Sequence, residues 1–381
     1  MHTLVTGGAG FVGAALVERL LAEGHTVDVV DNLSTGSLFN LADARASAGR
    51  DLTFHQLDVR STDVAELIAR RQPEVVWHLA AQTDLDSSVT SPTADALVNI
   101  VATLMVVEGV RAAGTRKMIV TSSAAVYGEL AGEPPAPESR GRRPLSPHGI
   151  AKHAVDAYLV AAASLDGLVF TSLVLGTVYG PRATGGVIAA WADCLVGGRA
   201  CTVFGDGRQT RDFVYIDDVV DALARAADAG DGMMLNVSTG QPTALVELHP
   251  LMVGLAAKLV VELGLPEEEV EVAPPAVADP PTPLLTPDVG APTPVGPGPP
   301  DATPPAPEAP GALGEGRTSV VAAVRRGPAL GLRQAAARPA EPRHVTLDPA
   351  RAAAELGWRP WTSLPEGIEA VLRAAMLARL S

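Results

Sequence analysis

The chain is poor in cysteine, poor in positive charge and without a long uninterrupted apolar run. Its two cysteines, Cys194 and Cys201, stand seven apart with no histidine cluster beside them. That is neither a zinc spacing nor a disulfide framework, and it fits ordinary apolar residues in a reducing cytosol. The formal net charge of −14 argues against a nucleic-acid groove or an anionic membrane surface. A few arginines could still build a local site for an anionic ligand. The longest greasy stretch, Thr243 to Leu265, is broken by Glu247, His249, Lys258 and Glu262, so it predicts one or two amphipathic helices and not a membrane span. No secretory leader is visible, because an apolar strand begins at once. No internal repeat is present.

What is present begins at the first turn, Leu4-Val5-Thr6-Gly7-Gly8-Ala9-Gly10-Phe11-Val12-Gly13. An apolar strand runs into glycines spaced three apart, and a helix follows. Bare backbone at Gly7, Gly10 and Gly13 and the N–H groups of Phe11 and Val12 suit a dinucleotide pyrophosphate at a helix N-terminus. A side chain at Gly7 or Gly10 would block that approach. Asp31 follows Gly13 by 18 residues, at the end of the apolar run from Thr26 to Val30. There a carboxylate accepts the adenine ribose hydroxyls and repels a 2′-phosphate, which favours NAD over NADP. The plain alternative is a glycine-rich turn that only packs a helix on a sheet.

Strands are predicted at 2–6, 26–30, 52–56, 74–79, 117–122 and 168–174, and helices at 11–23, 62–71, 93–113 and 148–164. Such alternation predicts an α/β fold, a Rossmann-type doubly wound parallel sheet over 1–175. Near residue 176 the pattern shortens. A smaller C-terminal substrate lobe is expected from 176–265 and 336–381. Between them, 266–335 reads as a proline-rich, disordered insertion: residues 271–310 hold nearly half of the 32 prolines. A tolerated loop insertion and a segment read by a proline-binding domain are both open. Asp348-Pro349-Ala350-Arg351 predicts a helix start, and Leu356-Gly357-Trp358-Arg359-Pro360 its stop.

Thr121-Ser122-Ser123-Ala124-Ala125-Val126-Tyr127-Gly128 places hydroxyls at the carboxyl end of a strand, where open α/β sheets bind ligands. In Ser146-Pro147-His148-Gly149-Ile150-Ala151-Lys152, His148 and Lys152 are four apart and share a helix face. With the glycine turn, Asp31, Asp58-Val59, His78-Leu79-Ala80-Ala81, Asn99, Tyr179-Gly180-Pro181-Arg182 and Gly205-Asp206-Gly207 through Arg211-Asp212, the chain resembles the extended short-chain dehydrogenase/reductase family. It is most similar there to nucleotide-sugar epimerases of the UDP-glucose 4-epimerase type. The resemblance covers about 1–245 and resumes over about 336–375.

The resemblance implies NAD as cofactor and a nucleotide-diphosphate sugar as substrate, with UDP-glucose/UDP-galactose the first guess. It implies transient oxidation at sugar C4, return of the hydride to the other face, and no metal. Asp31 with Asn32, Asp58 and Val59 would serve the adenosine, Ala80 and Ala81 would line the cofactor, and Asn99 would lie on the cofactor side. Lys152 would bridge the nicotinamide ribose hydroxyls. Ser123 would hydrogen-bond the reacting hydroxyl. Thr177, Val187, Arg211, Arg338 and Glu341 would hold the sugar nucleotide, the arginines on its diphosphate. Plainer readings are a turn hydroxyl for Ser123, a surface ion pair for Arg211 and solvated side chains for Arg338 and Glu341. A homodimer is implied, formed by the helices 93–113 and 148–164, in a cytoplasmic enzyme.

The departure that matters is His148, where the family has a tyrosine base. Lys152 and a nicotinamide ring, both positive, stabilise a tyrosinate, but they oppose the step from imidazole to imidazolium. Each unit of pKa depression weakens the base about tenfold. Imidazole is also shorter than phenol and would reach through a bridging water. Tyr158 lies ten residues along the same helix, about 15 Å away at 1.5 Å per residue. His153 points off the His148–Lys152 face, and Tyr127 is a remote candidate. Expectation divides between His148 as a working base and a slow, altered or inactive enzyme. The rival readings are a related dehydratase or reductase and a non-catalytic binder of NAD or sugar nucleotides. Ser122-Ser123 stand where family dehydratases carry Asp-Glu, which counts against a dehydratase. Smaller departures are Thr177 for a frequent asparagine and Ala340 for a glycine before Glu341.

Overall fold

The computed structural model describes residues 1–132, 135–264, 331–338 and 340–380. The proline-rich stretch 271–310, with the disorder expected of it, lies outside those residues.

The first two-thirds alternate as expected. In chain order they are β1 (His2–Thr6), α1 (Phe11–Ala22), β2 (Thr26–Asp31), α2 (Ala42–Ala48), β3 (Leu52–Gln56), α3 (Thr62–Arg71) and β4 (Val75–His78). Then come α4 (Leu85–Thr90), α5 (Pro92–Ala96), a π-helical stretch Leu97–Val101, α6 (Ala102–Ala113), β5 (Lys117–Ser123), α7 (Pro147–Asp166) and β6 (Phe170–Leu175). Local signals set the ends. Ser61 caps α3, and Ser146 caps α7 through the Gly149 N–H with Pro147 at the first helical position. Left-handed Gly114 and Gly167 stop α6 and α7.

Thereafter come β7 (Thr177–Tyr179), α8 (Val187–Val196), β8 (Cys201–Phe204), β9 (Thr210–Tyr215), α9 (Ile216–Arg225), β10 (Met233–Val237), β11 (Pro242–Ala244) and α10 (Leu245–Glu262). Beyond the undescribed stretch lie β12 (Leu332–Ala335), α11 (Ala350–Leu356) and α12 (Leu364–Leu380).

Seven strands form one parallel sheet in the order β10-β6-β5-β4-β1-β2-β3. The order reverses between β1 and β4, so a crevice opens at their carboxyl ends. The Rossmann-type fold is therefore as expected. The boundary placed at residue 175 needs correction. After β7, β8 and β9 the chain returns to the large sheet: β10 pairs with β6, and α9 packs beside α1. The short run Met233–Val237 completes a sheet whose other strands are far away in sequence, so local pattern did not distinguish it. The insertion's end, placed at residue 335, also moves. Leu332–Ala335 already forms a parallel strand on β8.

The smaller lobe holds a three-stranded sheet, β11-β9-β7, and the β12-β8 pair. Its core joins Trp191, Leu248, Met252, Ile368 and Leu372 from α8, α10 and α12. The greasy stretch from Thr243 is one helix, α10, with Pro250 inside it. Two tryptophans tie α9 into the core of the large sheet. Trp77 of β4 donates to the Leu223 carbonyl of α9 at 2.9 Å. Trp358, just past α11, donates to the Asp218 carbonyl at 2.7 Å and belongs to the core of the large sheet.

Replacing fully buried Trp358 with alanine leaves a large void in the core. The expected cost is about 3–5 kcal/mol. A urea titration should show a lower midpoint with an unchanged slope, and an unchanged midpoint would refute this packing role.

Candidate active site

The glycine turn is shaped by the chain itself before any ligand is considered. Gly7 has φ +70°, and a Cβ there would lie 2.7 Å from the Ala80 backbone nitrogen. A Cβ on Gly13 would lie 2.1 Å from the Gly7 carbonyl oxygen. These two glycines are needed because β1's exit turn packs on the turn after β4 and on its own helix. Gly10 differs: the one atom a Cβ would crowd is the Gly7 oxygen, at 3.2 Å, so the space over Gly10 is otherwise open. Helix α1 starts there with no side-chain cap and no acidic residue in its first turn. Its positive end is free for an anion.

Asp31 is buried at the end of β2. Its Oδ2 accepts from the Ala9 N–H at 3.0 Å and its Oδ1 from the Leu33 N–H at 2.8 Å. Both oxygens keep a lone pair, and no cation among the described residues is paired with them. Asn32 and Asp58 sit on adjoining turns, joined by a 2.9 Å hydrogen bond. Asp58 is also gripped through two nitrogens by Arg60, which holds its carboxyl well below the usual carboxylate range. Its acceptors are thus largely spoken for. Val59 is buried beside it. Ala80 and Ala81 continue from β4, and the Ala80 N–H donates to Thr6 Oγ1 at 3.3 Å.

This arrangement fits a dinucleotide: an open cradle over Gly10, an uncapped helix end, and a carboxylate ready for ribose hydroxyls at Asp31.

Ser123 ends β5, Lys152 is tied to the same strand, and His148 lies one helical turn before Lys152 on α7. The Lys152 ammonium donates to the Thr121 carbonyl at 2.9 Å, tying α7 to the strand. Ser123 Oγ accepts from the Ala125 N–H at 3.2 Å, so its own proton remains to be donated. Lys152 is buried, which lowers its pKa to about 8, with Asp156 and Asp95 opposing that fall.

His148 Nδ1 lies 3.0 Å from the Gln82 carbonyl oxygen. A carbonyl only accepts, so Nδ1 carries the proton and Nε2 carries the lone pair. Burial, then the Lys152 charge, lowers the His148 pKa to about 4. At neutral pH the ring is therefore a neutral imidazole with a fixed tautomer. Tyr127 is no substitute: it is buried, donates to Asn236 Oδ1 at 2.9 Å, and burial pushes its pKa up to about 12. Tyr158 stands on the surface.

Asn99 is an internal clamp. It accepts from the Gln82 N–H at 3.0 Å and donates to the Gln82 carbonyl at 2.9 Å and to Asp95 Oδ1 at 3.1 Å. Behind it runs a directed chain. Thr103 gives its hydroxyl proton to the Asn99 carbonyl at 2.7 Å, so it accepts from His78 Nε2 at 2.9 Å. His78 Nδ1 then accepts from Thr6 at 2.7 Å. Burial lowers His78 to about 3, keeping it neutral. Gln82, Asp95, Thr6 and Thr103 escaped the sequence reading. Asp95 had a visible signal, since it precedes Asn99 by four on one helix. The others act through backbone or through contacts distant in sequence.

Arg211, Arg338 and Glu341 line one cavity of about 400 Å³, with Phe204 and Gln209. Arg211 pairs with Glu341 and donates to the Thr210 carbonyl at 2.7 Å. The Arg338 guanidinium lies 4.1 Å from the centre of the Phe204 ring and 3.4 Å from Asp86. Thr177, on β7, and Val187, at the start of α8, do not line this cavity.

The sequence model of the NAD dependent epimerase/dehydratase family matches residues 3–238. The chain is 42% identical over 287 residues to a UDP-glucose 4-epimerase of Mycolicibacterium smegmatis, covering 73% of this chain and 88% of that one. It is 35% identical to a putative UDP-glucose 4-epimerase of Methanocaldococcus jannaschii, over 65% and 80% of the two chains. Among solved structures it is similar to the UDP-glucose 4-epimerase of Thermotoga maritima with UDP-glucose, at TM-score 0.74, 30% identity and 99% coverage of both chains. The Thermus thermophilus UDP-glucose 4-epimerase complex with NAD matches at TM-score 0.72 and 28% identity, over 98% of this chain and 99% of that one.

The depressed histidines set a pH dependence of stability. A histidine whose folded pKa is about 4 against 6.5 is protonated first in the unfolded chain. Acid therefore favours unfolding from pH 6.5 downward, an effect complete near pH 4 for His148. The melting temperature should fall through this window, and His148→Gln should flatten the fall. Equal slopes for the two proteins would contradict the burial of a neutral His148.

Proposed function

The chain belongs to the NAD dependent epimerase/dehydratase family, and on that premise we propose that it is an NAD-dependent nucleotide-sugar 4-epimerase of the UDP-glucose/UDP-galactose type. One observation carries the catalytic reading: the Gln82 carbonyl holds His148 with its Nε2 lone pair free. The residue that replaces the family tyrosine is thus arranged as a proton acceptor, and this favours an enzyme over a mere binder.

NAD, when bound, supplies reversible hydride acceptance for oxidation of the sugar C4 carbon. Asp31 receives its adenine ribose, the uncapped start of α1 its pyrophosphate, and Lys152 its nicotinamide ribose. Ser123 donates to the reacting sugar oxygen. His148 Nε2 takes the C4 hydroxyl proton, holds it while the sugar is a ketone, and returns it after the sugar turns over. The Lys152 charge opposes that transient imidazolium, so proton transfer is the weak step. Arg211 and Arg338 pair with the diphosphate, and Glu341, released from Arg211, accepts from the nucleotide ribose. Thr177 and Val187 contribute to the sugar-nucleotide pocket.

Pure protein incubated with UDP-galactose should form UDP-glucose. His148→Ala should lower turnover about a hundredfold or more, as loss of a general base does, while sugar-nucleotide binding persists. His148→Tyr should raise turnover, because Lys152 favours a phenolate. No interconversion by either the native protein or His148→Tyr would end the reading.

We further propose a cytosolic homodimer. The cysteines are unpaired. Helix Pro92–Ala113, long and apolar enough to cross a membrane, places Asp95 and Asn99 inside the fold. Its outer side shows Leu97 and Val101, and α7 shows Ile150, Tyr158 and Leu165, all exposed. These recur at helical spacing and form a stripe suited to a second copy. Sedimentation should give a dimer that Leu97→Glu with Ile150→Glu converts to a monomer; a native monomer would rule it out.

A further inference from the structure

Asp95 is buried to 1% exposure on α5, and the catalytic reading above gives it no task. Its Oδ1 accepts from Asn99 Nδ2 at 3.1 Å, while its Oδ2 is buried with no hydrogen-bond partner among the described residues. A buried carboxylate oxygen left unpaired is costly. Packing alone would be met without that cost by an apolar residue. Between Asp95 and the end of Asn99's turn the helix widens into the π-helical stretch Leu97–Val101, a distortion that often marks functional sites.

The hydrogen bonds around it have one consistent direction. Asn99 has two amide protons: one goes to Asp95, the other to the Gln82 carbonyl. Its oxygen accepts from the Gln82 N–H. Turned over, the carboxamide would set its oxygen against both the carboxylate and the carbonyl. The Gln82 carbonyl, so held, also accepts from His148 Nδ1. We propose that Asp95 is a positioning residue for His148: it fixes the Asn99 carboxamide, which fixes the Gln82 carbonyl, which keeps His148 protonated on Nδ1 with the lone pair on Nε2. This is the relation in which a third group orients a catalytic histidine, here relayed through an amide and one peptide carbonyl. The consequence for turnover rests on His148 being the base; the consequence for the tautomer does not.

The test uses the full chain labelled with ¹⁵N-histidine, with His148 assigned by its loss in His148→Gln. Long-range ¹H–¹⁵N spectra distinguish the two tautomers. The native ring should carry its proton on Nδ1. Asp95→Ala and Asn99→Ala should each move it toward the Nε2-protonated form and lower kcat about tenfold, the effect of one charge-assisted hydrogen bond, with KM little changed. The two effects should not add in the double variant. Asp95→Asn, whose oxygen still accepts, should keep the native tautomer and near-native kcat. If Asp95→Ala does not fold, Asn99→Ala and Asp95→Asn carry the test. An unmoved tautomer in Asp95→Ala or Asn99→Ala, additive effects, or a shifted tautomer in Asp95→Asn would overturn the proposal. A shifted tautomer with unchanged kcat would uphold the positioning and refute His148 as the base.

Discussion

The turns that leave β1 and β4 run so close that no side chain fits between them, and the site is organised around that contact. Gly7 must be left-handed and bare because the Ala80 backbone occupies the space a Cβ would take. The same closeness lets Thr6 bridge the two turns, accepting from Ala80 and donating to His78. From His78 the bonding continues through Thr103 and Asn99 to Gln82, and from Gln82 to His148. The cradle for a dinucleotide and the anchor of His148, the proposed base, are therefore one hydrogen-bonded body. Hydrogen bonds that already fix a reacting group hold it in place without reorganisation at the moment of reaction.

Electrostatics in the cleft runs against the charge of the whole chain. The protein is strongly acidic, yet Lys152, Arg211 and Arg338 gather around the crevice and the cavity beside it. Each is balanced locally: Arg211 by Glu341, Arg338 by Asp86, and buried Lys152 by the more distant Asp156 and Asp95. On the proposed reading, a diphosphate competes with two of these carboxylates for its arginines. The net gain on binding is then a difference between two ion pairs rather than the full attraction of free cations.

Much of this was legible in the sequence because it depended on local rules. The glycine turn, the apolar runs of β1 to β6, the helix expected over 148–164 and the four-residue spacing of His148 and Lys152 are short-range signals, and each appears where expected. Strand β10 is only five residues long and gains meaning from its partner β6, more than fifty residues earlier. Strand β12 lies behind a low-complexity stretch that masks any pattern. The anchor of His148 is a backbone carbonyl, and every residue has one. No residue type could mark Gln82 as the residue that supplies it.

The return of the chain at β10 has a consequence for biosynthesis. The large sheet lacks its edge strand until residue 237 exists, and Trp358 of the C-terminal part fills its core. A nascent chain leaving the ribosome holds an unfinished hydrophobic centre for almost its whole length. The nucleotide-binding half is thus no free-standing module to be cut out at residue 175; closure of its interior waits for the tail.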